Sequence, residues 1–325
     1  MRRLLPILLM LSLTGCYNGV LLTPTQVNVP LEETVIYDAR HCLCRNKVAI
    51  IDVDGMIMNA KSSTVLFGAG ENPVSSFRER LDAAADDKHV KAVVLRINSP
   101  GGAVTASDIM YQEIVRFRED TGKPVIACMM DVAASGAYYL AMGCDRIYAH
   151  PTTVTGSIGV IMSLYNATGL FTKLGVTSDP IKSGLNKDIG NPARPMTKEE
   201  REILQGLVDT FYNQFVQVVV RGRHLPEERV RALADGRIYS GIDAKNLGLV
   251  DEIGYLEDAI HAAKDAAGIK DAAIVAYDPG QGYRGSFYAG VPKIPSQINV
   301  KLDVPGLGNP MGAAFMYLWE PGAPH

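Results

Sequence analysis

The sequence predicts an α/β fold built on a largely parallel sheet covered by helices. Near-continuous apolar runs recur at Val48–Val53, Ala92–Ile97, Val125–Met130 and Arg146–Ala149. Strands buried on both faces read this way, whereas a strand with one wet face alternates. Segments with apolar residues at helical spacing separate these runs. The chain of 325 residues carries 31 glycines against one tryptophan and eight phenylalanines, which fits many tight turns better than an aromatic binding module.

The first residues read as a targeting segment. Arg2 and Arg3 precede an apolar stretch from Leu4 to Leu13 that is short for a membrane-spanning helix. Leu13-Thr14-Gly15-Cys16 resembles a bacterial lipoprotein processing site, whose cysteine is lipidated and becomes the mature N-terminus. Residues 1–15 are therefore expected to be a signal peptide, with Cys16 lipidated and acyl chains holding the protein to a membrane on the exported side. The plainer alternative is an ordinary signal peptide or uncleaved anchor with an incidental cysteine. Residues 16–46 read as a tether, with Pro24, Pro30 and no sustained period.

Val48–Val53 is the first buried strand, closed by Asp54-Gly55. Residues 60–73 are polar and read as a loop. Ser76–Asp86 has Phe77, Leu81 and Ala84 on one helical face. The strand Ala92–Ile97 follows, ended by the turn Asn98–Gly102, and then a helix over Thr105–Asp120. Val125–Met130 is the next strand, Ser135–Met142 the next helix and Arg146–Ala149 a further strand. Gly156–Met162 is expected to be a glycine-flanked β segment, Leu164–Leu174 to include a helix, and Lys182–Met196 to be a polar loop. Thr197 with Glu200 three residues on forms a capping box for a long helix reaching toward Arg223. Its predicted buried stripe is Leu204, Val208, Phe211, Phe215 and Val219. Pro226 opens a short helix, another ends before Gly248, and Leu256–Ala267 is the last. One folded domain over 47–276 results. Residues 277–325 are rich in glycine and proline and read as an irregular tail, in which Met316–Trp319 fits a docked strand or plain tail equally.

The formal net charge of −3 and pI near 6.1 carry no nucleic-acid signature. No second ligand pair accompanies His41, Cys42 and Cys44, so no metal is expected. Cys128 and Cys144 sit in apolar contexts and are expected to be buried. HExxH, P-loop and GxGxxG patterns in strand–helix context are absent, and no cofactor is expected.

Chemistry concentrates in three places. Ser135 lies among small residues in Ala133-Ala134-Ser135-Gly136-Ala137, just after a strand. Ligand sites of open α/β sheets lie at such strand ends. Alone, it would be an ordinary N-cap. Ser99-Pro100-Gly101-Gly102 also follows a strand, and its glycines can turn backbone N–H groups outward toward an oxyanion. Alone, it would be a plain turn. Lys187 lies in the polar loop, with Lys182 as a competitor. A lysine serves as a base only when neutral, which asks for a partly desolvated site. Alone, either would be a surface lysine. Of the six histidines only His150 follows a strand near the site, where a structural role outweighs a Ser-His pairing. In combination, serine, lysine and turn supply a nucleophile, a base and oxyanion donors.

At this point the motifs resemble the signal peptide peptidase A family, also called protease IV, in its short single-repeat form. The matching residues are Asn98-Ser99-Pro100-Gly101-Gly102, Ala133-Ala134-Ser135-Gly136, Thr155-Gly156-Ser157-Ile158-Gly159, Ser183-Gly184 through Lys187-Asp188, and Gly248-Leu249-Val250-Asp251-Glu252-Ile253-Gly254. They span roughly Lys47 to Ile260. The resemblance implies a Clp-protease/crotonase-like α/β fold with repeated ββα units. It implies Ser135 as nucleophile, Lys187 as base, Ser157 as the lysine-orienting hydroxyl, and oxyanion donors from Gly101, Gly102 and Gly136. It also implies a homo-oligomer in which Lys187 reaches Ser135 of the next chain, and peptide substrates such as released signal peptides. An extended substrate is expected to pair with backbone near Ser157–Met162. The alternatives are a crotonase-like acyl-CoA enzyme and a non-catalytic peptide-binding lipoprotein.

Overall fold

The computed structural model describes residues 31–37, 45–59, 63–64, 68–69, 72–279 and 315–319. Its centre is a sheet whose main path runs β1 (Leu31–Tyr37), β12 (Ala273–Pro279), β2 (Lys47–Asp54), β5 (Val90–Ser99), β7 (Val125–Ala134), β8 (Arg146–Ala149), β11 (Glu252–Ile253). From β12 to β11 every neighbour is parallel, and only the edge pair β1–β12 on this path is antiparallel. The end of β7 also pairs in parallel with β9 (Val154–Gly156), which carries β10 (Ile238–Ser240) antiparallel on its other side.

Side chains alternate across the strands, so each central strand feeds two cores. Ala49, Ile51 and Val53 of β2, with Val93, Leu95 and Ile97 of β5, pack against α1 (Pro73–Asp86), α2 (Val104–Thr121), α3 (Gly136–Ala141) and α5 (Lys198–Arg223). Val48 and Ile50, with Ala92, Val94, Ile126 and Cys128, pack against Leu256, Ala259, Ile260 and Ala263 of α8 (Leu256–Ala266). The one charged residue in the Ala92–Ile97 run is accommodated by register: Arg96 lies opposite Asp52, and the two pair at 2.7 Å while nearly buried. The remaining helices are α4 (Thr168–Lys173), α6 (Glu227–Leu233) and α7 (Gly241–Leu247).

The α/β class and the parallel sheet are as the sequence predicts. The long helix begins at the expected capping box, with the Thr197 hydroxyl accepting from Glu200 N–H and the Glu200 carboxylate accepting from Thr197 N–H. Cys128 is buried and Cys144 half-buried.

Several expectations change. Strand β7 runs past the predicted Met130 to Ala134, so Ser135 joins the strand directly to the helix it was expected to begin. Strand β9 ends at Gly156, and within Gly156–Met162 only Ile161 makes a further bridge. The segment read as a tether contains β1, whose alternation is obscured by a register shift between Val35 and Tyr37. The segment read as an irregular tail contains the end of β12, and of the two alternatives left for Met316–Trp319 the docked strand forms, as β13 (Met316–Leu318). Helix α4 forms, but buries none of its residues. Among the described residues, no helix is long and apolar enough to cross a membrane. The expected signal peptide, Cys16, and the trio His41, Cys42 and Cys44 lie outside the described residues.

Candidate active site

Ser135 is held in a backbone conformation that few non-glycine residues adopt, φ 53° and ψ −115°. Such a state costs about 1–3 kcal/mol and persists only where the surroundings enforce it. Three features do so here. The parallel pairing of β7 with β9 runs up to Ala134. The Ser135 N–H donates to the Gly156 carbonyl at 2.7 Å. The Ser135 carbonyl accepts from Tyr139 N–H at 2.8 Å, which starts α3. The residue is 1% exposed, and among the described residues its Oγ has no hydrogen-bond partner. Leaving a buried hydroxyl unpaired costs about 1–3 kcal/mol. Strain and an orphaned hydroxyl therefore meet at one residue.

The glycine turn packs directly against this residue. Gly101 has φ +98°, and a Cβ there would lie 2.6 Å from Gly136 N. A Cβ on Gly136 would lie 2.3 Å from Ser107 Oγ and 3.2 Å from Gly102 N. A Cβ on Gly102 would meet the Ile57 carbonyl oxygen at 1.9 Å. These approaches leave no room for side chains, which explains glycine at all three positions. Ile57 clamps the turn from outside, donating to the Gly101 carbonyl and accepting from Ala103 N–H, both at 2.8 Å. The expected oxyanion residues Gly101, Gly102 and Gly136 are thus brought together beside Ser135.

Ser157 follows the Gly156 carbonyl that holds Ser135, is buried, and has φ 50°. Its N–H donates to Arg237 C=O at 2.8 Å. Lys187 is not brought into this cluster. It lies exposed in a 3₁₀ turn over Leu185–Asp188, and among the described residues its ammonium has no partner. The partly desolvated setting expected for it is absent within one chain. The competitor Lys182 is committed elsewhere, donating to Asp188 Oδ1 at 2.7 Å. Arg194 binds the same carboxylate through Nε at 3.0 Å and Nη2 at 2.7 Å, and also binds Glu200. Arg194, aided by Lys182 at Asp188, holds both carboxyls well below their usual range. This bracing fixes the turn that presents Lys187. The His150 ring lies tilted at 49° against Tyr255, ring centroids 5.1 Å apart, and burial pushes its pKa down.

The sequence reading did not foresee what lies across the turn. Strand β13 pairs antiparallel with β6 (Gly101–Ala103), Tyr317 opposite Gly102. Bonds from Val104 N–H to Phe315 C=O and from Trp319 N–H to Pro100 C=O bracket that pair. By antiparallel alternation, the Gly102 N–H faces Tyr317. On its other edge, Met316 exchanges bonds with Ile161 at 2.9 and 3.0 Å. The apolar run Phe315-Met316-Tyr317-Leu318-Trp319, alone in a glycine- and proline-rich stretch, was the available signal. Gly156 and Ile57 were also missed, because they act through backbone atoms.

Comparison with known proteins adds an independent line. The model of peptidase family S49 matches residues 118–270. An Enterococcus faecium protein named as a signal peptide peptidase SppA is 39% identical over 231 residues, covering 71% of this chain and 67% of that protein. A Synechocystis sp. protein named as a protease, slr0021, is 40% identical over 225 residues, covering 69% of this chain and 76% of that protein. The chloroplastic serine protease SPPA of Arabidopsis thaliana is 36% identical over 226 residues, 69% of this chain but 33% of that longer protein.

Proposed function

The chain belongs to peptidase family S49, and on that premise we propose that it is a serine endopeptidase with Ser135 as nucleophile and Lys187 as general base. The observation that carries this reading is the Ser135 hydroxyl, buried, strained and without a partner among the described residues. A fold keeps so costly an arrangement where reactivity requires it. Neutral Lys187 takes the Ser135 proton as Oγ attacks the scissile carbonyl. Amides of the Gly101–Gly102 turn and of Gly136 receive the developing oxyanion. The C–N bond breaks as the Lys187 ammonium returns its proton to the leaving amine. Neutral Lys187 then deprotonates the water that releases the acyl-enzyme and regenerates the Ser135 hydroxyl. Ser157, beside the Gly156 anchor, orients the lysine.

The base comes from a neighbouring copy of the chain. Lys187 is exposed on an arm that also exposes Tyr165, Leu170, Leu174, Val176, Ile181 and Leu185. Apolar side chains displayed together on an arm that buries little of its own surface call for a covering partner. In a ring of such chains each arm would bring its lysine to the next Ser135 and desolvate it there. The assembly is held to a membrane through lipidated Cys16 on the exported side, and cuts peptides such as released signal peptides. A crotonase-like acyl-CoA enzyme would use a similar turn, but a cleft edged by β6 and Ile161 suits an extended peptide better.

The test is a fluorophosphonate probe with the assembled protein, the adduct located by mass spectrometry, alongside turnover of a fluorogenic peptide by Lys187→Ala. Labelling at Ser135 and loss of turnover are expected. Wild-type turnover by Lys187→Ala would overturn the dyad. A bound CoA thioester with an unlabelled Ser135 would favour the acyl-CoA alternative. Intact peptide after long incubation with the assembled wild-type protein would favour the non-catalytic binder.

A further inference from the structure

We propose that Ser107 is a positioning residue of the oxyanion site, its buried hydroxyl setting how far the Gly136 amide stands from the Gly101–Gly102 turn. The inference rests on the peptidase reading and deepens it, assigning a side chain to a half of the site otherwise built from backbone.

Ser107 is fully buried on α2, on a face whose other buried residues include Val104, Met110, Ile114 and Phe117. A hydroxyl in such surroundings costs free energy unless it is bonded. Its Oγ donates to the Ala103 carbonyl at 3.1 Å. Ala103 directly follows the glycine turn, and its N–H donates to the Ile57 carbonyl at 2.8 Å. The hydroxyl therefore hangs from the rear of the turn. On its other side stands Gly136. Of the atoms around a Cβ built on Gly136, Ser107 Oγ would be the nearest, at 2.3 Å. The oxygen thus packs directly on the glycine that follows Ser135.

Helix α2 meets α3 closely at two further points. The Tyr139 hydroxyl donates to Asp108 Oδ1 at 2.7 Å. A Cβ on Gly143, just past α3, would lie 3.2 Å from Ile114 Cβ. Ser107 is the contact at the end of this seam nearest the nucleophile.

Two amides stabilise one oxyanion only when both point at it, with donors about 2.7–3.1 Å away. Gly136 has no side chain to hold it in place. As the first residue of α3, its N–H has no partner within the helix. The glycine turn follows β5 and Gly136 follows β7, so chain continuity does not fix their separation. Ser107 does, tied to one and pressed against the other. Its bond to Ala103, four residues back, holds the oxygen in that rotamer. Alanine at 107 would keep the helix and remove the spacer. The Gly136 amide would then settle toward α2, and misplacement by a fraction of an ångström is costly in a preorganised site.

The test compares full-length, assembled wild type with Ser107→Ala, using the fluorogenic peptide and the fluorophosphonate probe. In Ser107→Ala, kcat is expected to fall about 10–100-fold while KM stays within about twofold. Labelling of Ser135 should slow in step. The midpoint of the pH–rate profile should not move, because the base is untouched. The melting temperature should stay within about three degrees. A kcat within about twofold of wild type would overturn the proposal. So would a lower melting temperature with unchanged labelling of the folded fraction, which would make Ser107 a packing residue only. If Ser107→Ala does not fold, Ser107→Cys decides by the same split, since its longer C–S bond pushes Gly136 outward. Wild-type protein that neither turns over peptide nor is labelled at Ser135 would remove the peptidase reading and this assignment with it. Wild-type turnover that Ser107→Ala leaves unchanged would remove this assignment alone.

Discussion

The Gly156 carbonyl accepts the Ser135 N–H at 2.7 Å, and both residues have positive φ, +84° and +53°. The end of β9 therefore holds the turn on which the expected nucleophile stands. A Cβ on Gly156 would lie 2.6 Å from Tyr239 Cδ2, in a backbone region that L side chains rarely adopt. Gly156→Ala is expected to slow fluorophosphonate labelling of Ser135 by at least tenfold, with a stability loss of about 1–3 kcal/mol in urea unfolding. Unchanged labelling would show that β9 does not position Ser135.

Ser135→Gly should abolish turnover and make the protein more stable. Glycine relieves the positive φ, and the substitution deletes the orphaned hydroxyl. Together these outweigh the extra freedom of glycine in the unfolded chain, for a gain of about 1–3 kcal/mol in chemical denaturation. A less stable variant would mean that the hydroxyl has a stabilising partner in the assembled protein.

The two lysines of the arm should separate cleanly. Lys187→Ala is expected to lower kcat about 10²–10⁴-fold, the range for losing a general base, and to leave the melting temperature within a degree or two. Lys182→Ala removes one of two cations on Asp188 and should lower kcat less than tenfold. The reverse order would transfer the base to Lys182.

Acid should loosen the arm before the core. The native pKa of Asp188 is depressed by Arg194 and then Lys182, so its ion pairs are fully present above the ordinary aspartate value near 4. Their contribution declines as pH falls below that value toward the native pKa. Hydrogen exchange over residues 182–196 should rise below about pH 4 while β5 and β7 stay protected, and Asp188→Asn should show the same loosening at pH 7. Equal protection of the arm at both pH values would rule out this bracing.

Ile181 and Leu185 are almost entirely exposed within one chain. Ile181→Lys with Leu185→Lys should shrink the particle in size-exclusion chromatography with light scattering, and lower turnover in step. A particle of unchanged size would place the subunit interface elsewhere.

Much of the fold was legible because its signals are local. Apolar runs such as Val125–Met130, the Thr197–Glu200 capping box and the glycines at 101–102 each follow from rules acting over a few residues. The edge strand Leu31–Tyr37 was not legible, since a bulge breaks its alternation and its partner lies more than two hundred residues away. Strand β13 was legible only as one of two alternatives, because three residues among glycine and proline carry no period and its partners, Gly101–Ala103 and Ile161, lie far away along the chain.

Sequence by itself determined the chemical vocabulary: one serine among small residues, a glycine turn after a strand, a lysine in a polar loop, and a parallel sheet to carry the first two. Tertiary structure decided the grammar. It put Ser135 under strain with its hydroxyl unpaired among the described residues, left Lys187 exposed, and seated Tyr317 across the glycine turn. The physical reason is that strain, desolvation and strand pairing depend on which distant atoms meet, and neighbours along the chain do not encode that meeting.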